Sequence, residues 1–314
     1  MTTVQSWVDQ TRSMLLSGYV EELDTITANV SVGDTAIPLQ GLSNGIARGV
    51  IIEIDSEQMY VAIAASATNP TVIRGYAGST VAAHTSGALV RLSPKFPTNR
   101  IIEAINNDLN DLSSPDMGLF QMKTISFDYV AGVQGYNLSG LTNDVVSSIY
   151  DVSYANIGIA ANEPDVISWE LKRNRATSSF ASGLALILYS GALSGRKVTV
   201  MYKSPLATVT NLGTAQTDTG LLPAAYDIVP LGAAAHLMTT MPIRREFLDA
   251  QGTSRLAADV PPGAISAGSR DLYARRATRV KSEAMRLIAM YPQQYRRNSA
   301  GRSASHGGFG GFIQ

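Results

Sequence analysis

The chain has 314 residues, of which 45% are apolar and only 16% charged, with equal acidic and basic counts and no cysteine. That length suggests about two domains and a sizeable core, and zero net charge gives no whole-chain case for binding nucleic acid. The absence of cysteine excludes disulfides, thiolate nucleophiles and cysteine-ligated zinc, and no apolar run nears the ~20 residues that span a bilayer.

The opening MTTVQSWVDQTR lacks the basic-then-apolar pattern of a signal peptide. Val4, Trp7, Val8 and Leu15 recur at helical spacing, with Thr2 or Thr3 as a possible cap and Gly18 as terminator. The period then changes. Val50, Ile52 and Ile54 alternate, Asp55-Ser56 offers a turn, and Met59, Val61 and Ile63 alternate in reply. TVIR and ALVRL complete a set of short strands expected to form a small antiparallel barrel or sandwich. Two prolines in SPKFPTNR mark a boundary, after which Ile101, Ile102, Ile105, Leu109 and Leu112 stripe an amphipathic helix. Glu103, Asn107 and Asp111 face elsewhere, and Ser113-Ser114-Pro115 stops it.

Residues 120–205 are strand-rich again, with alternation at Ile125, Phe127 and Tyr129, at Ile167, Trp169 and Leu171, and at Val198, Val200 and Tyr202. GLALILYSG reads as a central strand, and about eight strands of this kind suit a β-sandwich of jelly-roll or similar type. The polar stretch 208–220 reads as a linker. An Ala-rich helix follows over 226–241, then a short one in IRREFLDAQG, then a break at DVPPG. Ser269 is expected to cap a long helix whose Tyr273, Ala277, Val280, Ala284, Leu287 and Tyr291 form a heptad-like seam. Arg275, Arg279 and Arg286 share a different face of it, and Pro292 ends it. The remaining RRNSAGRSASHGGFGGFIQ is Gly/Ser-rich and expected to be disordered alone, with Arg296, Arg297, Phe309 and Phe312 available to a partner.

The expected fold is therefore α+β. Residues 1–25, 96–115 and 221–295 form a helical bundle from sequence-distant segments; 26–95 is an inserted β module, 119–207 an inserted jelly-roll-like β-sandwich, and 296–314 a docking tail. Such a bundle is feasible because loop-closure entropy grows slowly with length. Charge is divided between its parts. Residues 1–130 hold 13 acidic and 7 basic side chains, net −6, whereas 270–302 hold 9 basic and 2 acidic, net +7. Opposite signs can attract within one chain or between neighbours.

Chemistry is harder to find. RGYAGSTVAAHTSGA, residues 74–88, has three glycines and a histidine, but lacks the lysine and hydroxyl residue that a phosphate loop needs after its last glycine. Gly75, Gly78 and Gly87 read instead as tight connections, VAAHTSG as a small helical or turn excursion, and His84 as a group bonding the loop's backbone. His84, His236 and His306 have no partner at ligand spacing, so no metal or other cofactor is expected, and His236 reads as a core or interface residue. No GxSxG is present. The carboxylates of Glu21-Glu22 and of Glu53, Asp55 and Glu57 read as solvated turns. A tail-associated hydrolase using such a pair remains an alternative, because carboxylate separation is a matter of structure. Trp169 and the tyrosines of the second β block raise a second alternative, a fibre or baseplate protein stacking on host glycans.

The run RGYAGSTVAAHTSGALVRLSPKFPTNRIIEAINNDL resembles the head-to-tail connector or adaptor (gatekeeper, tail accessory) proteins of tailed bacteriophages. Arg74, Gly75, Gly78, His84 and Gly87 match the β-module pattern, and Arg100, Ile101, Ala104, Asn106 and Leu109 the helix after it. The resemblance covers residues 1–115 and, more loosely, the basic helix 269–291; small adaptors lack the block at 120–205. It implies a non-enzymatic virion protein, assembled in the host cytoplasm as a ring that is usually dodecameric. The ring sits in the neck below the portal protein, and its C-terminal extension reaches onto the portal. On this reading Arg275, Arg279, Arg286, Arg296, Arg297, Phe309 and Phe312 contact partners, tail or fibre proteins bind below, and DNA passes through without sequence readout.

Overall fold

The computed structural model describes residues 2–16, 21–138, 141, 145–155, 165–189, 194–240 and 264–292. The apolar spacing at the N-terminus produces helix α1 (Val4–Leu15), burying Val4, Trp7 and Val8. Thr3 occupies the N-cap position without a side-chain cap bond. The first amides are satisfied from afar instead: Val4 N donates to Thr214 O and Gln5 N to Leu212 O, each at 3.0 Å.

The alternating stretches form strands β1 (Leu23–Thr25), β2 (Ile51–Ile54), β3 (Glu57–Ile63), β4 (Thr71–Ile73) and β5 (Leu89–Leu92) in one antiparallel sheet of order β1-β5-β2-β3-β4. The β2–β3 turn passes through Asp55 with φ 56°, a left-handed conformation that aspartate tolerates better than most residues. Ile52, Ile54, Met59, Val61 and Val90 lie in one buried core. The sheet does not close into a barrel, because β1 and β4 do not pair. Residues 26–36 cross the gap on single bridges: Ile26 to Leu39, Val30 to His84, and Ala36 to Thr71.

Helix α2 (Thr98–Leu112) has the apolar stripe expected of it. It starts on a carboxylate lent by the sheet. Glu53, on β2, accepts from Thr98 N at 2.6 Å, from Thr98 Oγ1 at 2.7 Å and from Arg12 of α1 at 3.1 Å. A negative charge at the first helical amides satisfies orphan donors and suits the helix dipole, so one side chain joins sheet, α1 and α2. Burial pushes the Glu53 carboxyl up, against the opposing pull of Thr98 and Arg12.

Seven strands follow: β6 (Gln121–Asp128), β7 (Gly135–Asn137), β8 (Ser148–Tyr154), β9 (Asp165–Val166), β10 (Trp169–Lys172), β11 (Ala185–Leu188) and β12 (Lys197–Ser204). They make two antiparallel sheets, β10-β11-β7 and β6-β12-β8-β9. The apolar GLALILYSG segment supplies β11, the centre of the first. Tyr136, Leu186 and Leu188 from one sheet and Val152, Val200 and Tyr202 from the other share one core.

Residues 208–220, expected to be a linker, are packed structure. Asn106 of α2 clamps Val209 like a strand partner, accepting from Val209 N at 2.7 Å and donating to Val209 O at 2.8 Å. Buried Gln216 donates to Thr3 O and Ser6 Oγ, and Thr219 is fully buried. Small polar residues mark a linker only when nothing distant pairs with them.

Helix α3 (Ile228–Thr240) is apolar on all sides because it packs against all three other helices. Pro230 lies in its first turn, where no intrahelical N–H is needed. Helix α4 (Ala264–Met290) begins five residues before Ser269, which is buried inside it rather than capping it; AISAG simply continues the helix. Val8, Ile105, Val229, Ala233 and Leu287 belong to one apolar cluster spanning all four helices. The molecule is thus mixed α+β, with four α-helices and three antiparallel sheets among the described residues. The expected short helix in IRREFLDAQG and the tail lie outside them.

Candidate partner-binding surface

The buried line of α4 follows the predicted seam in its C-terminal half and leaves it in the N-terminal half. Val280 and Leu287 are buried, and Ala284 and Tyr291 pack against the same core, but Ser269, Arg276 and Glu283 are inward as well. Tyr273 is 41% exposed and Ala277 is exposed too, so the first turns of the expected seam face solvent. Arg276 is turned inward because it finds acids on α2: its Nε lies 2.8 Å from Asp108 Oδ1, and its Nη2 lies 2.6 Å from Asp111 Oδ2. Burial pushes Asp108 up to about 7, against the pull of Arg276. One Asp108 oxygen has no hydrogen-bond partner. Sequence reasoning missed this pair, although Asp108 falls three residues after Ile105 and four before Leu112, inside the apolar stripe.

The predicted arginine face is largely committed within the chain. Arg279 grips Asp227 with two nitrogens, at 2.7 and 2.9 Å, and donates to Ala224 O. That grip holds Asp227 below the usual carboxylate range. Arg286 pairs with Glu283 at 2.6 Å. Arg275 pairs only with exposed Asp271, one turn away on the same helix, a contact worth about 0.3–0.5 kcal/mol in such settings. Arg296, Arg297, Phe309 and Phe312 lie outside the described residues. The attraction foreseen between acidic and basic parts of the chain is therefore met at least partly inside it.

Away from its buried line α4 is mixed. Met285, Ile288 and Met290 are 61%, 65% and 48% exposed near its C-terminal end, while Asp271, Thr278, Lys281 and Ser282 are exposed along the turns before them. The helix's C-terminal end is fixed: Tyr291 lies edge-on to Tyr150 with centroids 5.8 Å apart, and Tyr150 Oη donates to Pro292 O.

The glycine-rich loop is a piece of architecture. Gly75, Gly78 and Gly87 have φ of 63°, 81° and 86°, as the sequence suggested. VAAHTSG contains a turn at Ser86–Gly87 rather than a helix, and a short 3-10 turn falls ahead of it at Tyr76–Gly78. The loop is organised by Glu57, a fully buried carboxylate rather than a solvated one. Glu57 accepts from Arg74 Nε and Nη2 at 2.7 Å each, and from the amides of Gly75 and Ala82. These donors and His84 overcome its burial and hold it down at about 2. The His84 side chain meets carboxylates, not the loop's backbone. Glu53 is likewise buried, so of the three hairpin acids only Asp55 is exposed.

The aromatics that suggested glycan stacking are mostly core: Tyr129, Tyr136, Tyr154 and Tyr202 are buried together, and Trp169 packs half-buried against them. A cavity of about 190 Å³ lies beside the start of α2, lined by Gly49, Ile51, Gln58, Ser93, Pro94 and Pro97, none of them titratable. Among the described residues no group of three or more His, Asp or Glu could hold a metal ion. No helix of the described residues is long and apolar enough to cross a membrane. No protein-family model matches the sequence, and no curated protein matches it.

Proposed function

We propose that this chain is a structural virion protein, a head-to-tail adaptor whose copies form a ring between the portal and the tail. In this reading its four helices are the hub, the two β modules are insertions looping out of it, and DNA crosses the ring without being read. The observation that carries the reading is the set of large apolar side chains left exposed at the C-terminal end of α4, Met285, Ile288 and Met290. Large apolar side chains bared together in this way are covered by packing against another surface, and ring symmetry supplies that surface from the next copy. The matched residues have structural uses that fit an assembly part: Ile101, Ala104 and Leu109 build the helical core, and Asn106 clamps Val209.

Native mass spectrometry of the full-length chain, alone and with isolated portal rings, tests the proposal. Closed oligomers or stoichiometric portal complexes are expected. A chain that stays monomeric in both settings overturns it. Deletion of 296–314 should abolish portal attachment while leaving the fold intact.

A further inference from the structure

A neutral imidazole carries one N–H and one lone pair; only the imidazolium donates from both nitrogens. His84 is 3% exposed, and both its nitrogens face carboxylate oxygens. Nδ1 is 2.7 Å from Asp55 Oδ2 and Nε2 is 3.0 Å from Glu57 Oε2. Either neutral tautomer would turn a lone pair on a carboxylate. Glu57 cannot relieve this by taking a proton, because Arg74 and two backbone amides already hold it ionised. The geometry therefore requires a quartet of alternating charge, Arg74, Glu57, His84 and Asp55, buried except at Asp55.

The quartet sits beside the opening of the five-stranded sheet. β1 and β4 do not pair, and residues 26–36 bridge the opening. One of those bridges is His84 itself: its N donates to Val30 O, and Val30 N donates to its O, both at 2.9 Å. Arg74 adds bonds to the carbonyls of Ser31 and Asp34. The charged groups facing the ring are Asp55 from the β2–β3 turn and Glu57 from β3, with Arg74 behind Glu57. The segment around Val30 meets His84 through its backbone, and its Asp34 carboxylate is occupied by Ser31 N.

We propose that His84 is a proton-dependent clasp on this module, which holds the β2–β3 turn, the loop 74–88 and the segment 26–36 together as the imidazolium and slackens when the ring loses its proton. The half-exposed carboxylate is the one released. Asp55 is 54% exposed and can be rehydrated, whereas Glu57 is sealed. The neutral ring therefore keeps its proton on Nε2 toward Glu57 and frees the turn. Both carboxylates also favour the charged ring and raise its pKa above 6.5 against the effect of burial. The clasp is then closed below pH 6.5 and opens as pH rises through the elevated value.

Hydrogen–deuterium exchange at histidine C2, read by mass spectrometry on the full-length chain, assigns a titration midpoint to each histidine. For His84 a midpoint above 6.5 is expected, together with at least tenfold faster amide exchange at Val30 and His84, beyond the intrinsic base-catalysed increase, once that midpoint is passed. Asp55→Asn, at an exposed turn where asparagine accepts the same backbone, should lower the His84 midpoint and start the loosening at lower pH. A His84 midpoint at or below 6.5, amide exchange indifferent to it, or an unchanged midpoint in D55N would each overturn the proposal.

Discussion

Two buried carboxylates, one in each kind of architecture, are solved in opposite ways. Glu57, in the five-stranded module, accepts from an arginine, a histidine and two backbone amides, and its carboxyl is held down at about 2. Asp108, where α2 meets α3 and α4, has Arg276 close by and one oxygen with no partner, and its carboxyl is pushed up to about 7. The difference lies in the backbone. A loop can turn free amides on an anion, as 74–82 does on Glu57, whereas mid-helix amides are already spent on their own helix. Burial alone does not predict the sign of a pKa shift; the supply of donors does.

The largest effect should come from Glu57→Ala. It removes the carboxylate that Arg74 grips with two nitrogens and leaves His84 with Asp55 alone, and breaking a buried pair this way costs about 3–5 kcal/mol. Denaturant unfolding followed by hydrogen exchange should find the five-stranded module open while the amides of α3 stay protected. If both regions are lost together, the junction at Glu53 couples them more tightly than the comparison assumes.

Next comes Gly232→Ala on α3. A Cβ there would lie 1.7 Å from Asp108 Oδ1, and moving that oxygen away breaks its 2.8 Å contact with Arg276 Nε. Overpacking of this kind costs about 1–3 kcal/mol. In an Asp108→Ala background the same change should cost less, and a double-mutant cycle reads the coupling. Simple additivity would mean that the helices separate to admit the methyl group.

Acid titration then separates the two regions without mutation. The folded pKa of Glu57 is depressed, so its stabilisation is complete above its unfolded value near 4.5 and fades as pH falls toward 2. That of Asp108 is raised, so its contribution is complete below 3.8 and is lost as pH climbs through about 7. Between pH 7 and 4.5, acidification should strengthen protection in α2 and α3. Below 4.5 it should erode protection around Gly75 and Ala82. Parallel behaviour at the two sites below pH 4.5, where His84 stays protonated, would break the contrast.

How far the sequence alone could see follows the same physics. Period-two alternation marked β2 and β3, and the stripe of Ile101, Ile105, Leu109 and Leu112 marked α2, because a buried face imposes its own local period. Loop 208–220 was opaque, since its partners Asn106 and Thr3 are roughly a hundred and two hundred residues away. The α4 seam was legible from Val280 to Tyr291 but not in the turns before, because Arg276 is an inward residue only if Asp108 and Asp111 stand opposite it. The hairpin acids were misread for a related reason. Glu53 and Glu57 look like turn residues until α2 and the glycine loop bring donors to them. Of the predicted partner-binding residues, the structure places Arg275, Arg279 and Arg286 in ion pairs; Asp271 and Glu283 stand at helical spacing from Arg275 and Arg286, whereas Asp227, the partner of Arg279, is 52 residues away and has no local signal.

The smallest effect tests the least intuitive half of the contrast. Asp108→Asn keeps the shape of the side chain and removes a charge that burial already disfavours. Near pH 6 the carboxyl is largely protonated when folded, so the change should alter stability by no more than about 1 kcal/mol. At pH 8.5 the wild-type side chain must ionise beside Arg276 with one oxygen unsolvated, while asparagine need not. The variant should therefore lose less stability than wild type between pH 6 and 8.5, measured as the shift in urea midpoint. A larger loss in the variant would mean that Arg276 needs an anion more than Asp108 resists being one, and the ion pair would then be a net support of the helical core.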